Sequence, residues 1–418
     1  MATVSCQLSP QMSCHAWSAD RLHLAICPDN NEIHIYRKSA LGHWQRIHAL
    51  SEHDQLVSGL DWSAQGNQLV SCSHDRNSYV FSWQDQALKP EMVITRLSKA
   101  ATCVRWSPSE QKFAIGSAAK AICICYYEQE SHWWASKLIR RQHDSSILAV
   151  SWHPNSILLA TASSDSKCRV FSTVLPGVDS EQNLSGITSR FGDCLLQIDS
   201  LSSWCHAVAW SPSGCQLAFA SHGSTLQCVA GIHAVTLMCS KAVSQDVVTS
   251  ASGPVQHHLQ QQLKHQCVQL RQLPFKVVAF LAENVLIAGG FDGEMYLFQS
   301  QNYDWQLSQT IQGDLQHPHA ANLKKQLSVD FSKKLDMFKQ QSASPASSKV
   351  MRRSTQPEIS HSPHKAAHTN CIIDLHVFSH KQSQPASQFS TAGSDGLVVQ
   401  WDVSNCLGEP ALAALPCH

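Results

Sequence analysis

HDSSILAVSWHPNSILLATASSDSKCRVF, His143 to Phe171, holds three short apolar runs, Ile147–Trp152, Leu158–Thr161 and Cys168–Phe171. His153-Pro154-Asn155 and Ser163-Ser164-Asp165-Ser166 divide them. Runs of four to six residues with β-branched and aromatic content, bounded by turn formers, read as strands. Three such strands cannot bury both of their faces alone, so the unit needs neighbours.

The neighbours are copies of it. Counted from Trp152, His143, Asp165 and Phe171 lie at −9, +13 and +19. The same offsets from Trp62 land on His53, Asp75 and Phe81, and from Trp17 they reach Asn30 and Tyr36, with no histidine. Asp395 to Trp401 and Asp292 to Phe298 repeat the six-residue step. The anchors Trp17, Trp62, Trp106 and Trp152 step by 45, 44 and 46 residues, the length of a four-stranded WD-repeat blade. Later units, anchored near Trp210, Phe280 and Leu375, lie 58, 70 and 95 residues apart and therefore carry insertions. Outer strands are expected at Trp44–Leu50, Glu91–Leu97 and Trp134–Ile139. Thr3–Leu8 is expected to complete the last blade and so remove an open sheet edge. The expectation is all-β: residues 1–418 form a single seven-bladed WD-repeat β-propeller.

Composition bounds the function. Lys+Arg and Asp+Glu both number 31, so no global charge draws the chain to nucleic acid or anionic lipid. No apolar run of about 18 residues is present, and no membrane insertion is expected. MATVSCQLSP lacks the basic-then-apolar order of a signal peptide. The 17 cysteines sit mostly within apolar runs, without a C-x-x-C pair, which suits a reduced cytosolic protein. His53/Asp75 and His143/Asp165 could be acid–base pairs, but a catalytic pair would occur once. Their repetition, with Asp395 and Trp401 in the last unit, reads as a structural tetrad that pins turns to inter-blade loops. Gly289-Gly290-Phe291-Asp292-Gly293 has no following helix or lysine and is a strand turn, not a phosphate loop. The Gln/His-rich stretch Gln256–His265 has no fixed ligand geometry and reads as a solvated loop. Neither a catalytic residue, nor a metal site, nor a cofactor is expected.

The longest insertion, residues 301–370, ends in a Ser/Pro/basic part, 341–367, expected to be disordered. Ahead of it, Leu323, Leu327, Phe331, Leu335 and Phe338 fall on one face of a helix expected over residues 323–339. Five lysines against two aspartates make that segment +3. Such a helix either folds back over a blade or projects into a partner's groove.

Several strings then resemble one family. They are CHAW (Cys14–Trp17), AICP (Ala25–Pro28), HIY (His34–Tyr36), CVRWSP (Cys103–Pro108) and KFAIGS (Lys112–Ser117). ICYYEQE followed by HWW (Ile124–Trp134), WHPN-x-x-LLA (Trp152–Ala160) and D-x-KCRVFS (Asp165–Ser172) are more distinctive still. The chain resembles the subunit 1 family of the actin-related protein 2/3 complex over nearly its whole length. That resemblance implies a non-catalytic scaffold of the cytoplasmic actin cytoskeleton. It would join the other subunits, including the two actin-related proteins, and contact nucleation-promoting factors and the mother filament. It also implies a protruding helix before the last blade, matched by Val329–Phe338, and a basic segment before blade 4, here reduced to Arg140-Arg141. Leu327, Phe331, Leu335, Phe338, Arg140 and Arg141 are therefore the expected partner-binding residues. A free-standing WD adaptor, either a ubiquitin-ligase substrate receptor or a G-protein β-like scaffold, is the alternative. The first would bring a leading helical domain and the second a leading coiled coil, neither of which this sequence presents.

Overall fold

Each apolar run of the repeat forms an antiparallel strand, and every fourth strand starts a new sheet. The computed structural model describes residues 2–40, 42–64, 68–84, 87–180, 189–199, 203–232, 263–311, 367–378 and 386–406. Blade 1 comprises β2 (Cys14–Trp17), β3 (His23–Cys27), β4 (Ile33–Lys38) and β5 (Trp44–Leu50). Blade 2 comprises β6 (Val57–Trp62), β7 (Gln68–Ser73), β8 (Ser78–Gln84) and β9 (Ala87–Val93). Blade 3 follows with β10 (Ala101–Trp106), β11 (Lys112–Ser117), β12 (Ile122–Glu128) and β13 (Trp133–Ile139). Blade 4 has β14 (Ile147–Trp152), β15 (Leu158–Ser163), β16 (Lys167–Ser172) and β17 (Cys194–Asp199). Blade 5 has β18 (Cys205–Trp210), β19 (Gln216–Ser221), β20 (Thr225–Ala230) and β21 (Lys264–Gln269). Blade 6 has β22 (Phe275–Ala282), β23 (Val285–Gly290), β24 (Met295–Gln301) and β25 (Asp304–Ile311). Blade 7 has β26 (Ile372–Val377), β27 (Gln388–Gly393) and β28 (Leu397–Asp402), and its fourth strand is β1 (Ala2–Gln7).

The seven sheets form the expected WD-type propeller. The second strands read as unbroken small or apolar runs because a neighbouring blade covers each face. In β15 all six residues are buried. Outer strands meet solvent on one side, so β9 buries only Leu88 and Val93. β9 begins four residues before the expected Glu91, because a tight hairpin pairs Gln84 with Ala87. The innermost strand of blades 2 to 7 carries a register shift within its first three residues, as between Ile147 and Ala149. A bulge there bends each inner strand in the same sense around the axis.

Two sets of connections define two faces. On the upper face, turns between the second and third strands bond the loop entering their blade: His74, Ala118, Ser164 and Ser394 donate N–H to Leu56, Ala100, Ser146 and Cys371 carbonyls at 2.9 Å. On the lower face, the first two strands are joined by turns such as Ser107 to Lys112 and His153 to Leu158. Gly396, with φ +74°, sits in the upper turn of blade 7 where a Cβ would strike the Ser9 carbonyl. Glycine is thus required where the N-terminal strand passes.

Blades 3 and 4 share a buried ion pair. The Lys112 ammonium, fully covered, contacts both Asp179 oxygens at 2.6 and 2.8 Å and donates to the Thr173 carbonyl at 3.0 Å. Burial pulls the Lys112 amine below the usual lysine range, and Asp179 opposes that pull. The pair fixes the lower connection of blade 4 against blade 3. Asp179→Ala should therefore lower unfolding free energy by about 3–5 kcal/mol, since it strands a buried cation. A Lys112→Met/Asp179→Leu double variant should recover most of that loss in a urea titration. A single variant as stable as wild type would remove the pair from the fold's determinants.

The expected helix 323–339, its residues Leu327, Phe331, Leu335 and Phe338, and the part 341–367 up to residue 366 lie outside the described residues. So does the stretch 256–262.

Candidate functional site

The repeated His/Asp residues all gather on the upper face. In blade 2 the His53 Nδ1–H reaches the Asp75 carboxylate at 2.8 Å, and Nε2 accepts from the Ser71 hydroxyl at 2.7 Å. Asp75 also accepts the Asp54 and Asn77 N–H groups, so one carboxylate ties loop to turn. In blade 7, Asp395 meets His368 at 3.2 Å, His368 meets Thr391 at 2.8 Å, and Trp401 Nε1 donates to Thr391 at 2.8 Å. This four-residue chain is buried at its centre, with His368 and Trp401 both near 1 % exposed.

Blade 4 departs from the expected direct His143–Asp165 bond. The two approach to 3.4 Å, while Arg169 donates one N–H to His143 Nδ1 at 2.8 Å and to Asp165 at 2.7 Å. With Nδ1 accepting, the His143 Nε2–H is the donor to Thr161 Oγ1 at 3.2 Å. Burial would raise the Asp165 carboxyl, but the Asp144 N–H and the Arg169 guanidinium hold it well below the usual range. The same fourth position after the turn aspartate holds Tyr296 in blade 6, whose hydroxyl donates to Asp292 at 2.6 Å. Sequence reading missed Arg169 and His368. The latter stands nine residues before Val377, as His143 stands nine before Trp152, but a valine replaces the anchor tryptophan.

A second charged group crosses the central channel, a cavity of about 600 Å³ lined by the inner strands of all seven blades. Arg105 of blade 3 meets Asp374 of blade 7 at 3.1 Å and the Leu60 carbonyl at 3.2 Å. Asp374 also receives the N–H and Nδ1–H of His15 from blade 1 at 3.1 and 3.0 Å. Burial would raise the Asp374 carboxyl, yet Arg105 and His15 hold it well below the usual range. Asp61 lies beside Arg105 but is pushed up to about 6, chiefly by burial, which Arg105 only partly offsets. No group of three potential metal-ligating side chains occurs among the described residues. Every cysteine there is a free thiol.

What the upper face offers is surface. Arg140 and Arg141 are both exposed in the loop between β13 and β14. Over blades 5 and 6 the turn histidine–aspartate pairing is missing, and rings stand open instead. Trp204 is 55 % exposed and Phe291 41 %, joined through His222 and His206, whose nitrogens meet at 2.9 Å. Leu273, 55 % exposed, stands in the loop entering blade 6. Burial, then the neighbouring His222 and Lys276, lowers His206 to about 4. Exposed aromatics gathered in one place mark contact surfaces more often than they stabilise a monomer.

The two carboxylates of the channel should titrate in opposite senses. Asp374 is depressed, so its contribution is complete above the ordinary carboxylate value near ~4 and is lost in acid. Asp61 is raised, so its favourable contribution exists in acid and disappears as pH climbs through about 6. Asp61→Asn should consequently gain stability over wild type at pH 8 and gain none at pH 4. Unfolding titrations at both pH values check this, and a pH-independent difference would contradict it.

Models of two repeat families match the chain: the WD domain, G-beta repeat, over residues 136–172, and the anaphase-promoting complex subunit 4 WD40 domain over residues 15–109. Among curated relatives, actin-related protein 2/3 complex subunit 1A of Arabidopsis thaliana is 40% identical over 402 residues, 96% of each chain. Subunit 1A-A of Xenopus laevis is 35% identical over 395 residues, 94% of each chain. Subunit 1 of Saccharomyces cerevisiae is 28% identical over 395 residues, 93% of this chain and 94% of that one. With identity this high across nearly full length and seven WD-type blades to match, the chain belongs to the actin-related protein 2/3 complex subunit 1 family.

Proposed function

We propose that the protein is the propeller scaffold of an actin-related protein 2/3 complex, without catalytic activity of its own, working in filament nucleation and branching at the cytoplasmic actin cytoskeleton. The observation that carries this is the 40% identity to a subunit 1A over 96% of both chains. The upper face is consistent with it: its histidines and aspartates are engaged in holding turns, and its open aromatics are free to meet other proteins.

In this reading, two regions extend the contacts beyond the complex. Arg140 and Arg141 attract acidic segments of nucleation-promoting factors. The insertion helix 323–339 places Phe331 and Leu335 in a hydrophobic cleft of an actin-fold partner on the mother filament, with Leu327 and Phe338 extending the stripe and lysines facing an acidic rim. Burying one such side chain is worth about 1.5–3 kcal/mol.

Purified from its native source, the protein should bring the actin-related proteins with it in fixed stoichiometry; their absence would end the proposal. A Phe331→Ala/Leu335→Ala variant should assemble and melt like wild type yet branch filaments at least fivefold more slowly. Unchanged branching would remove the helix from filament contact, and failed assembly would place it against its own propeller. Arg140→Glu/Arg141→Glu should weaken activation most at low salt, where exposed charges act furthest. Equal activation at all salt concentrations would dismiss that contact.

A further inference from the structure

The upper loops of blade 3 carry a charge that their own residues do not balance. Arg96 and Lys99 stand in the loop from β9 to β10, Lys120 in the turn from β11 to β12, and Arg140 and Arg141 in the loop from β13 to β14. All five are exposed, and residues 94–100, 118–121 and 140–143 contain no aspartate or glutamate. Among the described residues none of the five cationic groups enters an ion pair or a hydrogen bond. The next acid along the chain, Asp144, faces Lys167 at 3.9 Å.

The backbone is strained where these charges sit. Arg96, Lys120 and Arg141 have φ of +54°, +61° and +61°, a region that a Cβ disfavours. At the turn position of Lys120, blades 6 and 7 have Gly293 and Gly396. Blade 3 thus holds a lysine where glycine would sit without strain. The side chains sharing these loops are mostly short, Ser98, Ala100, Ala118 and Ala119 among them, so the cations stand on a broad, low surface. The concavity beside it, of about 370 Å³ over blade 2, is lined by Asp54 and Asp75 as well as Arg76 and Arg96, so it offers no excess charge to an acidic peptide. Where β9 ends, Met92 and Ile94 are 55 % and 46 % exposed.

We propose that the upper loops of blade 3 are a peripheral docking surface for an anionic lipid bilayer. Headgroup phosphates and carboxylates meet the five cations, and Met92 and Ile94 lie at the headgroup boundary beside them. A basic cluster of this size suits an anionic leaflet, each cation strengthening adsorption about fivefold. The adjoining apolar pair adds the second signal that lasting attachment needs. Zero net charge does not oppose this, because screening confines each charge to about 8 Å at physiological salt. The surface goes beyond the filament and activator contacts, although Arg140 and Arg141 border both, so the test leaves those two arginines in place and contains no actin.

The full chain is sedimented with vesicles of phosphatidylcholine alone or with about 30 % phosphatidylserine, an anionic lipid. Saturable binding is expected to the anionic vesicles, at least tenfold weaker to the neutral ones, and weakened at least fivefold when salt rises from about 100 to about 500 mM. Arg96→Asn/Lys99→Gln/Lys120→Asn should weaken binding at least tenfold and melt no lower than wild type, since asparagine takes a left-handed φ readily. Arg96→Lys/Lys120→Arg should bind as wild type does, because a bilayer reads charge and not the bidentate geometry of a guanidinium. Met92→Ser/Ile94→Ser should weaken binding at least twofold and leave its salt dependence unchanged. No binding to anionic vesicles, equal binding to neutral ones, or unchanged binding by the triple variant would overturn the proposal. So would tight binding of a polyglutamate peptide in place of vesicles, which would make the surface a protein contact. If the triple variant melts lower, Lys99→Gln decides alone, with binding at least threefold weaker expected and unchanged binding fatal.

Discussion

Ala2 to Gln7 hydrogen-bond along β28, pairing Gln7 with Leu397 and Ala2 with Trp401, and the propeller exists as a closed ring because of that pairing. Without it blade 7 would end on an open edge, and blades 1 and 7 would meet through side chains alone. The pairing joins segments almost the whole chain apart, so its loop-closure cost falls on the entire fold. Several features share the load at this seam. His15 and Trp17 of blade 1 both contact Ser390 of blade 7 at 2.8 Å, and Asp374 of blade 7 takes His15. Arg105 then carries the connection across the channel to blade 3. The seam is thus held by main-chain pairing at the rim and by charge at the axis.

Burial of charge is most demanding at Lys112–Asp179 and Arg169–Asp165, whereas the Arg105 side chain stays 39 % exposed in the channel. Lys112 with Asp179, Arg169 with Asp165, and Arg105 with Asp374 are each satisfied by at least one further hydrogen bond. A buried pair adds little net stability against an apolar substitute, but removing one member is severe. The pairs therefore act mainly as registers: each one joins a loop or a strand of one blade to a fixed point on another or on its own turn.

The repeat was legible because a propeller imposes one local solution seven times. Strand lengths, the four-strand period and the closing N-terminal strand all follow from turn residues and apolar runs. The histidine–aspartate pairing in blade 2 could be expected from spacing alone, because its tryptophan anchor is present. In blade 7 the anchor is Val377, and His368 follows the longest insertion, so the spacing had nothing visible to start from. Arg169 was hidden for another reason. A basic residue within a strand looks solvent-facing, and only the packed neighbour shows that it lies between His143 and Asp165. The partner residues of the insertion are legible only as an amphipathic pattern, which states that a cover is needed without naming it.

A chain whose charges cancel in total need not be electrically featureless. Around blades 2 and 3, the upper loops expose Arg76, Arg96, Lys99, Lys120, Arg140 and Arg141 against Glu52, Asp54 and Asp144. The lower side of the same blades carries Glu110, Glu128 and Glu130 against Lys89 among the described residues. This part of the disc therefore has a dipole roughly along the propeller axis. In the field of a charged neighbour such a disc turns before it touches, presenting one side to acidic surfaces and the other to basic ones. Orientation by this torque would speed correct encounters and vanish over a Debye length of about 8 Å at physiological salt. The order in which partners settle on the two sides would then depend on ionic strength even though the protein as a whole is neutral.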